Sequence, residues 1–351
     1  MVRVAPGPGQ LRSLVAGQRQ VSHNWSGYAA FLGDVDNPGV NNSVSDVRGT
    51  WVVPTATGEA YDAYCSDWVG IDGYNSESVE QLGTVAQWSG GNAYYYAWWE
   101  MFPAGETVIS TMTVNPGDTI TAEVRSTGGN YFQVTMTDVN ASHTATQTFT
   151  TNQRVSPMDV PTAQRNSAEW IHEAPGGDLG QLPLAKTTPA DFTDCYATIN
   201  GTEGPIDSAS WTNVPIDLVS STKPYAELAT PTDLTSGGTG FSVDYTSGKY
   251  PGLISIMSSA TSVKRPKPFE LEGLVFPGAI HDPCVVYVKK PGSGRWSYSS
   301  NRQAFDSQEG YAIWWYRYTP KLKGTYYFYV KFAGDADRTA ATSNTVKVVV
   351  K

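Results

Sequence analysis

The chain has few cysteines, few charges and no long apolar run. Three cysteines in 351 residues, Cys65, Cys195 and Cys284, allow at most one intramolecular disulfide and exclude a disulfide framework. Cys65 and Cys195 fall in one predicted domain and read either as a pair or as two buried thiols. Cys284 reads as a small buried hydrophobe on a strand. No segment approaches the ~18 consecutive apolar residues of a membrane-spanning helix. Residues 1–20, with Pro6, Pro8, Arg12 and Arg19, lack the apolar core of a signal peptide. They are expected to be a flexible N-terminal segment, with any export signal outside this sequence. Charged residues make up 16% of the chain, below the usual quarter, which leaves a surface of hydroxyls and amides.

Basic residues are scarcest before residue 248. Residues 1–247 hold 9 Lys and Arg against 26 Asp and Glu, net −17, whereas residues 248–351 hold 15 against 7, net +8. Such asymmetry marks a domain boundary, placed near Ser247–Leu253. The shortage of basic groups limits the positive self-repulsion that unfolds proteins in acid. An ordinary acidic, soluble surface would have the same composition.

Helical periodicity is nearly absent. Ile120, Ala122 and Val124 alternate with polar residues, S-T-G-G-N turns the chain, and Phe132, Val134 and Met136 alternate on the return, a hairpin pattern. Tyr94–Phe102 reads as a strand with Tyr94, Tyr96, Trp98, Glu100 and Phe102 on one face. Many short strands with Gly/Pro turns predict an all-β protein, an antiparallel β-sandwich. The last hundred residues repeat the rhythm in Tyr311–Tyr318, Tyr326–Phe332 and Thr345–Val350, as a small immunoglobulin-like β-sandwich would.

Missing motifs narrow the chemistry. There is no G-x-S-x-G, no H-E-x-x-H, no Asp-Thr-Gly or Asp-Ser-Gly, and no phosphate loop. His23, His143, His172 and His281 lack metal-ligand spacing, so no metal and no cofactor is expected. The basic residues of the C-terminal part form no nucleic-acid recognition motif. Carboxylates and amides among aromatics remain. Peptide hydrolysis without a metal or a Ser/Cys nucleophile needs a positioned water, a carboxylate to take its proton, and a donor for the oxyanion. A Glu and a Gln supply those groups.

Six ordered strings carry a resemblance: Asn24-Trp25-Ser26-Gly27-Tyr28, Thr50-Trp51-Val52-Val53-Pro54, Trp68-Val69-Gly70-Ile71-Asp72-Gly73 with Gln81 and Gly83 following, Tyr96-Ala97-Trp98-Trp99-Glu100, Ala168-Glu169-Trp170-Ile171, and Phe192-Thr193-Asp194-Cys195. From Ser22 to Tyr245 the chain resembles the glutamic peptidases, or eqolisins. The resemblance implies a curved sandwich of two large antiparallel sheets, with Gln81 and Glu169 as catalytic dyad and Trp25, Trp68 and Glu100 lining the substrate cleft. Gln87 and Tyr96 stand where the family often has Asp. Gln87 is thereby a rival for the amide role, and Tyr96 a further cleft residue. Glu173 is a rival carboxylate on the face of Glu169. Without its flanks, Gln81 reads as a solvated loop residue.

The expected organisation is a catalytic sandwich over 21–248 and the immunoglobulin-like module over 249–351. The expected activity is that of a secreted, monomeric, acid-active endopeptidase acting on polypeptides, without nucleic-acid partners or a membrane span. The basic module is a candidate contact for cell-wall material or polysaccharide. A carbohydrate-active or carbohydrate-binding sandwich is the alternative, with Glu100 and Glu169 as a glycosidase pair. A non-catalytic adhesin is a third reading. Glycoside hydrolysis has no need of the Gln81 amide.

Overall fold

The structure, a computed structural model, describes residues 12–13, 19–177, 180–221, 225–235, 237–246, 248–308 and 310–351. Most of the expected N-terminal segment, and Ser247 at the expected boundary, lie outside these residues. Among the described residues every regular element is a strand. No helix among them is long and apolar enough to cross a membrane. The chain divides into two compact units, Met1–Gly58 with Ala63–Ser221 and Glu227–Ser247, and Gly248–Lys351 with Glu59–Asp62 and Thr222–Ala226.

The principal strands of the first unit are β1 (Trp25–Phe31), β2 (Val44–Val52), β3 (Ala63–Ile71), β4 (Val79–Ser89), β5 (Asn92–Phe102), β6 (Thr119–Gly128), β7 (Tyr131–Val139), β8 (Thr146–Arg154), β9 (Ala168–Glu173), β10 (Ala190–Ile199), β11 (Thr212–Val219) and β12 (Phe241–Tyr245). One antiparallel sheet runs β11–β1–β9–β3–β4–β5. The other runs β8–β7–β6–β2–β10–β12. Glu227–Pro231 pairs with both β11 and β12 and joins the sheets along one edge.

The sheets pack through residues that alternation turns inward. Trp51, Val69, Leu82, Ile120, Val124 and Trp170 are fully buried. Both of these indoles also find an acceptor: Trp51 Nε1 donates to Thr84 Oγ1 (2.9 Å) and Trp170 Nε1 to the Arg48 carbonyl (2.8 Å). The predicted hairpin is present as β6 and β7, with Ile120 opposite Asp138 and Val124 opposite Val134. Cys65, Cys195 and Cys284 are buried thiols.

The second unit is built from β13 (Phe269–Phe276), β14 (Pro283–Lys289), β15 (Ser297–Gln303), β16 (Tyr311–Tyr318), β17 (Gly324–Phe332) and β18 (Val346–Val350). β13 pairs with β16 in one sheet, and the other sheet runs β15–β14–β17–β18. Leu271, Val286, Trp314, Phe328, Val330 and Val348 fill the space between them. Trp314 is buried and its neighbour Trp315 is 39% exposed, as alternate faces of one strand require. Arg338 is buried with its guanidinium forked on Asp282 (2.6 and 2.8 Å) and paired with Asp335.

Candidate active site

Strand register builds the site. Ala29 of β1, Glu169 of β9, Gly70 of β3, Gln81 of β4 and Glu100 of β5 stand opposite one another in successive strands. Their side chains therefore share one face, the face opposite that of Trp170 and Val69. Gln81 is not a loop residue. It is the third residue of β4 and is wholly buried. Glu169 and Gln81 are two strand spacings apart, roughly 10 Å between Cα atoms.

Gly70 lies between them and brings no side chain of its own. A Cβ there would sit 3.0 Å from the Trp68 ring and 3.1 Å from Gln81 Cβ. Gln81 Nε2 donates to Glu100 Oε2 (2.8 Å), which fixes the amide plane and leaves Gln81 Oε1 without a partner. Both carboxyl oxygens of Glu169 also lack a hydrogen bond of good geometry. The Ser167 hydroxyl and the Tyr74 backbone N–H lie near enough only to offset part of the cost of burial. Burial, with the Asp72 charge adding to it, raises the Glu169 carboxyl well above the ordinary range. Burial likewise pushes Glu100 up to about 9, with the Glu173 charge adding and the Gln81 hydrogen bond opposing.

The flanking rows hold the walls in place. Glu173 accepts from Trp68 Nε1 (2.7 Å) and from Asn24 Nδ2 (3.2 Å). Burial pushes it up to about 8 against those bonds. It clamps the Trp68 indole, whose ring meets Trp25 edge to face at 5.1 Å. Trp25, Trp68, Trp98 and Ile171 form one apolar cluster on this face with Phe31, Tyr74 and Val79. Gly73, at φ +114°, lets the turn after β3 pass against it, since a Cβ there would lie 2.7 Å from the Trp25 ring. Tyr96 packs on the same cluster, in register with Val85, and donates to Glu106 Oε1 (3.3 Å). Gln87 shares the face but stands six residues along β4, about 20 Å from Gln81, so the structure does not bring it to the row.

Three residues here escaped sequence reasoning. Asp72 accepts from the backbone N–H groups of Arg165 (2.6 Å) and Asn166 (2.8 Å), tying the segment before β9 to the end of β3 and so fixing the register of Glu169. Its own N–H donates to the Ser167 carbonyl (3.0 Å). Tyr74 stacks on Phe31 at 4.8 Å beside Glu169. Glu80 is buried on the opposite face, and burial raises its carboxyl too. Asp72 is visible in the sequence only as part of W-V-G-I-D-G. Its partners lie some 93 residues away, beyond any local pattern.

One group among the described residues could hold a metal. Ligand atoms of Cys65, Asp67 and His172 lie within 4.8 Å of one another, buried on the face opposite the row. His172 Nδ1 and Asp67 Oδ1 are 2.7 Å apart, a contact that serves equally as a simple buried pair. The spacing of the histidines along the chain could not reveal it.

The sequence matches the Peptidase A4 family over residues 23–247, which contain every element of this row. The chain belongs to the Peptidase A4 family. It is 29% identical over 213 residues to scytalidopepsin B of Scytalidium lignicola, covering 59% of this chain and 75% of that protein. It is 28% identical over 210 residues to aspergillopepsin-2 of Aspergillus niger, covering 54% and 69%. The fold of the first unit is similar to that of scytalido-glutamic peptidase solved with a transition state analog inhibitor. That comparison has a TM-score of 0.50 at 24% identity, covering 64% of this chain and 98% of that one. As a Peptidase A4 member the protein is a glutamic endopeptidase, a peptide-bond hydrolase acting on polypeptides. Family membership does not favour the carbohydrate-active alternative.

Proposed function

We propose that Gln81 and Glu169 are the catalytic pair of an acid-active peptidase, with Glu100 holding the Gln81 amide. The observation that carries this reading is that Gln81 Oε1 and both Glu169 oxygens are buried without a hydrogen bond of good geometry, on one face of the sheet with only Gly70 between their strands. Buried polar atoms without partners are costly unless a ligand or water completes them. A water held between the two side chains would donate one hydrogen to Gln81 Oε1 and one toward Glu169. Admitting water and substrate relieves the burial that raises Glu169, so the carboxylate can take the water proton as oxygen adds to the scissile carbonyl. The second Gln81 N–H faces the oxyanion, and the Glu169 proton then passes to the departing amine as the C–N bond breaks. No covalent intermediate forms.

The row is fully buried, with Tyr74 in the apolar cluster beside it and Val35 packed against that cluster. Substrate entry requires the packing over the row to open. Trp25, Trp68, Glu173 and Tyr96 then line the cleft on one side of the row. Glu100 and Glu173, which stay buried without charge when protonated, support work in acid. The architecture supports a catalytic sandwich over 21–248 followed by an immunoglobulin-like module over 249–351.

Hydrolysis of a denatured protein, followed from about pH 2 to 7, tests the pair. Glu169→Gln and Gln81→Ala are each expected to lower kcat by about 10²-fold or more with the fold retained. Undiminished turnover in Glu169→Gln would refute the assignment. Turnover lost on Glu173→Gln alone would move the role to that residue.

A further inference from the structure

The second unit contains a built cavity that peptide hydrolysis does not use. It has a volume of about 460 Å³ and is lined by Lys290, Tyr298, Ser299, Tyr316, Tyr318 and Lys321 among others. That volume lies within the range of small-ligand sites and would hold one or two sugar units. Its wall comes from the ends of β14 and β16, the start of β15, and the turn between β16 and β17. Tyr326 fixes that turn, its hydroxyl accepting from the Leu322 N–H (2.9 Å) and donating to the Leu322 carbonyl (3.1 Å).

Charge is segregated around this cavity. All its lining residues fall within 283–305 and 310–334, two stretches that carry eight Lys and Arg and no Asp or Glu. In the sequence, the acidic residues of 248–351 fall outside those two stretches, at Glu270, Glu272, Asp282, Asp306, Glu309, Asp335 and Asp337. Asp282 and Asp335 are engaged by Arg338. Lys290 and Lys321 are exposed at the cavity, and its lining residues include no carboxylate. The Arg302 guanidinium lies 4.4 Å over the Tyr316 ring and adds to the positive potential.

The rest of the lining is hydroxyl-rich. Ser299 Oγ and the Tyr316 hydroxyl form a pair at 3.3 Å, and Tyr298 is 62% exposed. Hydroxyls that both donate and accept suit sugar hydroxyls, an open phenol ring suits the apolar face of a pyranose, and the lysines suit an acidic substituent. We infer that this cavity binds an anionic polysaccharide, through its carboxylate or sulfate groups, and holds the peptidase on such a matrix.

Affinity electrophoresis of the full chain at pH 5 tests this, in gels containing polygalacturonate, dextran sulfate or neutral dextran. Retardation is expected from polyanions and not from dextran. Retardation by polygalacturonate alone or dextran sulfate alone would support the inference and identify the acidic group. Lys290→Glu/Lys321→Glu should weaken retardation about tenfold, and Tyr298→Ala severalfold, with hydrolysis of a soluble denatured protein unchanged. Lys289→Glu/Lys347→Glu, on strands outside the cavity, should keep most of the binding. Absence of retardation, equal retardation by dextran, or equal loss in both lysine pairs would overturn the inference. So would tighter binding of a single-stranded oligonucleotide through Lys290 and Lys321.

Discussion

Raising the pH should unfold the first unit from within. Glu100 and Glu173 are buried and titrate at about 9 and about 8 in the folded protein, against an ordinary value of 4.5. Burial is the first cause in both. Below pH 4.5 both states hold these protons and the groups contribute nothing to pH dependence. Between 4.5 and 8 the unfolded chain releases them while the folded chain retains them, so the folded state binds more protons and stability falls as pH rises. Each group contributes a slope of about −1.4 kcal/mol per pH unit, and the pair about −2.7. Over three pH units the pair alone removes up to about 8 kcal/mol, a size comparable to the ~5–15 kcal/mol of an ordinary domain. Glu169 and Glu80, raised by the same burial, act in the same direction.

Thermal unfolding of the full chain at pH 4.5, 6 and 8 reads this out. The transition of the first unit should fall steeply across that range. Water reaching the carboxylates through local opening reduces the effect, yet even about 3 kcal/mol corresponds to roughly 6–12 °C in a domain of this size. In Glu100→Gln/Glu173→Gln the fall should be markedly shallower. A flat or rising transition temperature from pH 4.5 to 8, or an unchanged slope in the double variant, would refute the reasoning. The second unit should behave oppositely. Asp335 has its carboxyl lowered by Arg338, so its contribution is present above the ordinary carboxylate range and is lost as pH falls through the folded value.

Three substitutions probe the frame. Gly70→Ala places a methyl 3.0 Å from the Trp68 ring and 3.1 Å from Gln81 Cβ, and should lower kcat/KM at least about tenfold in the same peptidase assay, since small displacements of reacting groups are costly. Trp68→Phe removes the 2.7 Å bond to Glu173 Oε2 and should cost about 1–3 kcal/mol in denaturant unfolding, with a steeper loss of stability above pH 6 because that bond holds the Glu173 carboxyl down. Arg338→Met strands buried Asp282 and should lower the stability of the second unit by about 3–5 kcal/mol, visible as loss of its thermal transition.

What was legible in the sequence follows the range of the interaction that decides it. Alternation is local, and it announced β5 and the β6–β7 hairpin with their faces correctly assigned. The segment A-E-W-I-H-E was legible as a strand with Glu169, Ile171 and Glu173 on one face. Its complete burial was not, because that depends on β1 and β3 flanking it on both sides. Gln81 was misplaced because V-E-Q-L-G-T begins a strand just after a turn rich in Gly, Asn and Ser, where local preference favours a loop. Pairing with Gly70 on one side and Glu100 on the other overrides that preference. The clamp of Asp72 on the segment before β9 is longer in range still, and so is the meeting of Cys65 with His172. The same argument explains why Gln87 looked like a rival. It is the same residue type on the same face of the same strand as Gln81, and only the register separates them, by six residues along β4. In a sheet, register converts sequence distance into position in a row. A carboxyl and an amide 88 residues apart therefore become members of one row, with a single glycine strand position between them, which is the arrangement the proposed mechanism uses.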